Sequence, residues 1–203
     1  MARGPVPGRV KRRLEPMLGP DGCARLHAVL VRRTLATAAA LGRVVVACEG
    51  AVEVPPGADR VAQSDGDPGE RMRTAAGWAF ERHGGPLLVV GTDVPRLGEG
   101  HVAAALADLA TGADASFGPT LGGGAYLTAL PAPRPEVFGL GAGEWGGHAV
   151  LGRMLERAAG AAGLEIGMLH MERDLGTPED ARAMLADPLL PADVRAALAD
   201  RGT

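Results

Sequence analysis

The sequence predicts an α/β fold, a three-layer αβα sandwich around a mostly parallel sheet, and three observations point there. Two short apolar runs, Arg43–Cys48 (RVVVAC) and Pro86–Gly91 (PLLVVG), lack polar alternation, the pattern of strands covered on both faces. Stretches with apolar residues at three- and four-residue steps separate the strands, so helix and strand alternate as parallel crossovers require. With 203 residues and 46% apolar content, a single domain over residues 1–203 with one core is expected.

The elements follow in order. From Asp21 to Leu41 the positions Cys23, Leu26, Leu30, Thr34, Thr37 and Leu41 line one helical face, and Gly42 stands where a C-terminal cap belongs. The strand Arg43–Cys48 comes next, then a helix from Gly69 to His83 closed by Gly84-Gly85, then the strand Pro86–Gly91. Glu99–Ala110 reads as helix, Asp114–Phe117 and Ala125–Leu130 as strands, Gly147–Ala159 as helix and Leu164–Leu169 as strand. Two short helices finish the chain. The first opens on Thr177-Pro178-Glu179-Asp180, a hydroxyl cap, a proline at the first helical position and a carboxylate three residues after the cap. The second covers Ala192–Asp200. In such a sheet, ligands bind outside the C-terminal ends of the strands.

Composition removes several classes of function. Aromatic residues make up 3% of the chain, too few for the stacking surfaces of single-strand nucleic-acid binders. Formal net charge is −3, so no general attraction to polyanions exists. The charge is uneven, however. Residues 1–33 hold Arg3, Arg9, Lys11, Arg12, Arg13, Arg25, Arg32 and Arg33 against Glu15 and Asp21, a local excess of +6. Cys23 and Cys48 show neither metal-ligand spacing nor a disulfide framework, which fits a reducing compartment. No apolar stretch follows Met1 and none is long enough to span a bilayer, so a cytoplasmic protein without membrane contact is expected.

Five segments could carry chemistry. Pro5-Val6-Pro7-Gly8-Arg9-Val10-Lys11-Arg12-Arg13-Leu14 combines a glycine that lets backbone approach a ligand with guanidinium forks suited to phosphate oxygens. Lys11 is the sole lysine in a chain that otherwise uses arginine, which marks a place for a compact ammonium. A solvated, partly mobile terminus would look the same. Gly91-Thr92-Asp93-Val94-Pro95 sets Asp93 at the end of a buried strand, as a magnesium ligand or as an Asx turn before Pro95. Gln63-Ser64-Asp65-Gly66-Asp67 leads into a helix, where Asp67 reads as a cap or as a ligand contact. Gly122-Gly123-Gly124 permits positive φ and close passage over a sugar or base. Asp174, before the Thr177 cap, could complete a metal site or lie in an exposed loop. His27, His83, His101, His148 and His170 have no ligand spacing and are assigned to no metal.

Taken in order, these segments resemble a bacterial glycosyltransferase-A-like family of nucleotide-diphospho-sugar transferases, of the radical-SAM/selenodomain-associated transferase 1 type. The resemblance rests on Pro-Val-Pro-Gly-Arg-Val-Lys at 5–11, Gln-x-x-Gly-Asp-x-Gly-Glu-Arg-Met at 63–72, Gly-Thr-Asp-x-Pro at 91–95, Gly-Gly-x-Tyr-Leu at 123–127 and Asp-x-x-Thr-Pro-Glu-Asp at 174–180. It implies a Rossmann-like fold with a nucleotide over the sheet. It also implies nucleotide contacts from Arg3, Gly8, Arg9, Lys11, Gln63, Asp67, Arg71, Thr92, Gly123 and Gly124, and catalytic roles for Lys11, Arg13 and Asp93. Magnesium or manganese would then sit at Asp93 and Asp174. The partners implied are a nucleotide or nucleotide sugar and a small-molecule acceptor. Three departures accompany it. Gly122 and Gly176 stand where the family usually has aspartates, and Met1 lies almost on the basic loop, so the first strand is expected to be missing. Glycosyl transfer is the leading expectation and nucleotidyl transfer from a triphosphate the alternative. A degenerate nucleotide-binding module is a further reading, and nucleic-acid binding through the basic end is the least favoured.

Overall fold

The computed structural model describes residues 1–200. The chain forms two compact units built from interleaved segments. One, here the basic-loop unit, comprises Ala2–Arg60, Thr92–Leu97 and the segment beginning at Arg173; the other, the sheet unit, comprises Met1, Val61–Gly91 and Gly98–Glu172.

In the basic-loop unit, β1 (Ala2–Arg3) pairs in parallel with β2 (Val45–Glu49), Ala2 opposite Cys48 and Arg3 opposite Glu49. β2 is the predicted apolar run, and Val46, Ala47 and Cys48 within it are buried. The first strand, expected to be missing, is therefore present as a two-residue stub. Its ladder continues through Gly4, whose N–H donates to the Glu49 carbonyl at 2.8 Å, so β1 covers the C-terminal end of β2. β3 (Asp59–Ala62) completes this three-stranded sheet, and the chain leaves the unit within it. The sequence Asp-Arg-Val-Ala carries too little β-branched character to announce a strand.

The long helix α1 (Glu15–Leu41) begins one turn and a half before its predicted start and kinks at Gly19 (φ 66°), immediately before Pro20. Gly42 caps it, donating to the Ala38 carbonyl at 3.0 Å. Leu26 and Leu30 pack with Leu14, Leu175, Val194 and Leu198 into one apolar cluster that joins α1 to α5 (Pro178–Ala186) and α6 (Ala192–Ala199). The predicted cap of α5 forms as a reciprocal box: Thr177 accepts from the Asp180 N–H at 3.2 Å and Asp180 accepts from the Thr177 N–H at 2.9 Å.

The sheet unit contains α2 (Pro68–His83), β4 (Leu87–Val90), α3 (Glu99–Ala110), β5 (Ala115–Pro119), β6 (Ala125–Leu130), α4 (Val150–Leu155) and β7 (Ile166–Met168). Its strand order is β4-β6-β5-β7. β4, β5 and β7 run in one direction, and β6 is antiparallel to the β4 and β5 strands between which it lies. Thr120–Gly124 is too short a link for a crossover, so β5 and β6 form a hairpin. The predicted single helix Gly147–Ala159 resolves into α4 and a wider π-type turn at Glu156–Ala161. Phe117, Leu130, Val137, Phe138 and Met154 form the buried core of this unit. Among the described residues, no helix is long and apolar enough to cross a membrane.

Candidate functional site

The basic loop is shaped by which of its side chains face inward. Val10 and Leu14 are buried, four residues apart, and hold a 3₁₀ turn (Arg12–Leu14) against the core. Arg9, Arg12 and Arg13 point outward, and among the described residues none of them has a carboxylate partner. Gly8 turns the chain with φ 71° and has open space around it.

Lys11 is the one described non-glycine residue with positive φ (51°), in the left-handed region that costs an ordinary side chain ~1–2 kcal/mol. That conformation sends the side chain inward. Its ammonium donates to the Leu175 carbonyl at 2.7 Å and lies 2.8 Å from Asp93 Oδ1, with 6% of the side chain exposed. The Asp93 backbone carbonyl accepts from the Leu175 N–H at 2.8 Å, so positions 11, 93 and 175 form one clasp. The buried Thr92 hydroxyl donates to the same Asp93 oxygen at 3.3 Å. Desolvation opposes ionisation of Asp93, but the Lys11 ammonium outweighs it, helped by the Thr92 hydroxyl, and holds the carboxyl below its ordinary range.

His27, on α1, was given no role by spacing. It is 7% exposed, and its Nε2 lies 3.0 Å from the Arg3 carbonyl. A carbonyl can only accept, so Nε2 carries the proton, and the buried Nδ1 has no partner. Burial pushes the imidazole below its usual pKa, so it stays neutral. Arg3 itself forms an exposed ion pair with Glu49 at 2.9 Å across β1 and β2. Its guanidinium thus has a partner without a nucleotide.

The loop before α5 carries the other predicted acid. Asp174 is partly exposed, and Gly176 is buried beside it. A Cβ at Gly176 would lie 2.9 Å from Arg13 Nη2 and 3.5 Å from Asp174 Oδ2, so Arg13 fills the space into which an aspartate at 176 would project. At Asp93 the ammonium takes Oδ1, which leaves a divalent ion the Oδ2 of a half-exposed carboxylate beside a fixed positive charge, without an acid at 176. This donor set fits magnesium or manganese poorly.

Gln63, Asp67, Arg71, Gly123 and Gly124 belong to the sheet unit. Asp67 caps α2 in a reciprocal box with Glu70, at 3.0 and 2.9 Å, the role its position before a helix allowed. Arg71 donates to the Gly66 carbonyl at 3.0 Å and toward Gln63 Oε1 at 3.5 Å, tying down the same turn. Gly123 has φ 85°, and a Cβ there would stand 2.1 Å from the His148 carbonyl oxygen. The close passage that the glycine permits is therefore made by the protein's own backbone. The Gly124 N–H donates to the Thr120 hydroxyl at 3.2 Å.

One cluster escaped the spacing argument altogether. His101 on α3, together with His170 and Glu172 after β7, places one possible ligand atom each within 4.8 Å of the others. Both Nε2 atoms approach Glu172 Oε1, at 3.1 and 3.0 Å. His101 Nδ1 accepts from the Gly98 N–H at 3.2 Å, which puts the ring proton on Nε2, directed at Glu172. Metal-bound histidines usually donate from the second nitrogen, so this geometry favours a hydrogen-bonded cluster. The only sequence signal was His170-x-Glu172, two residues on the same side of an extended segment.

The α/β fold is similar to that of nucleotide-diphospho-sugar transferases. A solved structure with TM-score 0.82 and 29% identity, covering 97% of this chain and 90% of its own, is of a protein from Desulfovibrio desulfuricans G20 provisionally assigned as a nucleotide-diphospho-sugar transferase. The chain belongs to the family described as uncharacterized protein conserved in bacteria (DUF2064), whose profile matches residues 24–147. No curated protein matches it significantly.

Proposed function

We propose that the protein is a transferase that takes a glycosyl group from a nucleotide-diphospho-sugar to a small-molecule acceptor, with the basic loop as its diphosphate seat. The carrying observation is the contrast within that loop: Lys11 is fully engaged by Asp93 and Leu175, whereas Arg9, Arg12 and Arg13 are exposed and, among the described residues, have no ion pair. Guanidiniums left unpaired beside a fixed ion pair suit a ligand that brings its own negative charge. The similarity to a protein provisionally assigned as a nucleotide-diphospho-sugar transferase supports the sugar-nucleotide donor.

Catalysis in this reading is electrostatic. As the glycosidic C–O bond breaks, charge builds on the departing diphosphate, and Arg9 and Arg13 offset it. Asp93 fixes Lys11 and thereby the loop. A second reading is favoured by one feature: four cations in the five residues Arg9–Arg13 also suit a triphosphate, and hence nucleotidyl transfer. Product analysis separates the two, because glycosyl transfer releases a nucleoside diphosphate and nucleotidyl transfer releases pyrophosphate.

The test is a thermal-shift screen of nucleotide sugars and nucleoside triphosphates, followed by turnover assays with the best donor. A ligand at ~100 times its dissociation constant should stabilise the native state by ~2.7 kcal/mol. Asp93→Ala should lower turnover by ~10²-fold or more, because the loop loses its anchor and the phosphate contacts lose their alignment. Unchanged turnover in that variant would remove the clasp from the mechanism.

A further inference from the structure

The clasp invites a comparison with what a metal would do. A divalent ion in a diphosphate site bridges a protein carboxylate to the phosphate oxygens and neutralises charge on the leaving group. Here the Asp93 carboxylate already has a cation on it, the only lysine of the chain, held 2.8 Å away and tied to the Leu175 carbonyl at 2.7 Å. A left-handed backbone at Lys11 and near-complete burial of its side chain keep the ammonium in that place. The second position at which an acid would be needed holds Gly176, and the Arg13 guanidinium reaches to 2.9 Å from where its Cβ would be. Both changes act in the same direction. Asp93 is compensated by Lys11 and position 176 carries no acid, which leaves Asp174 as the further carboxylate of this loop, and side-chain cations stand close to both positions, 93 and 176.

Resting on the proposed function, we infer that Lys11 and Arg13 serve in place of a divalent metal, so that this chain binds the diphosphate of its donor without magnesium or manganese. Lys11 neutralises Asp93, so the carboxylate does not repel the incoming phosphates. Arg13, together with Arg9, supplies the direct contacts. A buried ammonium between a carboxylate and a carbonyl is preorganised, and an exposed guanidinium without a carboxylate partner among the described residues can grip two phosphate oxygens at once.

The experiment is isothermal titration of the full-length protein with pyrophosphate and the common ribonucleoside diphosphates, in EDTA and in magnesium. The wild-type dissociation constant should agree within ~2-fold between the two buffers. Arg13→Ala should weaken binding ~10-fold in both, as loss of one charge-assisted contact does. Gly176→Asp should capture Arg13, weaken binding ~10-fold in EDTA and recover it in magnesium. Lys11→Met should likewise become metal-dependent, and manganese should then bind the free protein, seen as loss of the free-ion signal in electron paramagnetic resonance. If Lys11→Met fails to fold, the Gly176→Asp and Arg13→Ala results decide the matter. Wild-type binding that disappears in EDTA and returns with magnesium overturns the inference while leaving the diphosphate reading standing. Absence of binding in both buffers overturns the two together.

Discussion

The sheet unit and the basic loop handle charge in opposite ways. In the sheet unit, polar side chains close on one another: Glu172 takes both His101 and His170, Asp67 and Glu70 box the start of α2, and Arg71 secures the Gly66 turn. Much of the basic-loop unit does the same, with Arg3–Glu49, Arg33–Asp193, Arg96–Asp187 and Arg173–Asp180 paired; the basic loop itself departs from this, for Lys11 is locked to Asp93 while Arg9, Arg12 and Arg13 are exposed and have no ion pair among the described residues. A group that already has its partners serves the fold; a charge held in place without one is available to a ligand. The difference separates the candidate residues more sharply than residue type does, since aspartates and arginines occur on both sides of it.

The comparison breaks first at Gly123 if the glycine-rich turn serves a ligand rather than the protein's own backbone. With φ 85° and the His148 carbonyl 2.1 Å from any Cβ, Gly123→Ala should cost ~2–4 kcal/mol, from left-handed strain and overpacking together. Chemical denaturation measures it. A loss under ~1 kcal/mol with impaired nucleotide binding would move the turn to the functional side. Next is Glu172→Ala, which strands the buried His101 N–H and should cost ~1–3 kcal/mol, while Glu172→Gln, still an acceptor, should recover most of it. A large gain in wild-type stability on adding zinc, absent in His170→Ala, would instead make the cluster a metal site.

Much of this was legible beforehand where a local rule applies. The Gly42 stop, the Thr177-Pro178 start and the apolar runs of β2 and β4 each follow from chemistry confined to a few neighbours, and the structure has them within a few residues. Convergence of distant positions was not legible. Nothing at 101 announces 172, and the ion pair of Lys11 with Asp93 spans 82 positions, although the lone lysine did mark one end of it. β1 and β3 were hidden for a different reason: a two-residue strand has no period, and Asp-Arg-Val-Ala owes its strand to pairing rather than propensity.

A smaller effect sharpens the contrast through pH. Burial keeps His27 neutral in the native state, with its pKa below the ordinary 6.5. The unfolded chain therefore takes up a proton at a pH where the native chain does not, and stability falls as pH drops from 6.5 toward the depressed value. His27→Gln keeps a donor for the Arg3 carbonyl and should flatten that part of the profile. Melting temperatures across this window, wild type against variant, check it. A slope that persists in the variant would assign the acid sensitivity to another group.

The smallest expected change is the one that most directly opposes the two glycine sites. Gly176→Ala introduces the same methyl as Gly123→Ala, but its nearest neighbour is the end of a flexible arginine rather than a carbonyl fixed in the chain, and its φ lies outside the left-handed region. Arg13 can swing aside, so the change should stay within ~0.5 kcal/mol. Displacing Arg13 should nonetheless show in diphosphate affinity, because the guanidinium would lose the position that its contact with the 176 loop gives it. A variant as stable as wild type but weaker in binding ties Arg13 to the ligand. Equal stability with equal affinity would make the fit of Arg13 over Gly176 incidental, and the distinction between the basic loop and the sheet unit would then rest on Lys11 and Asp93 alone.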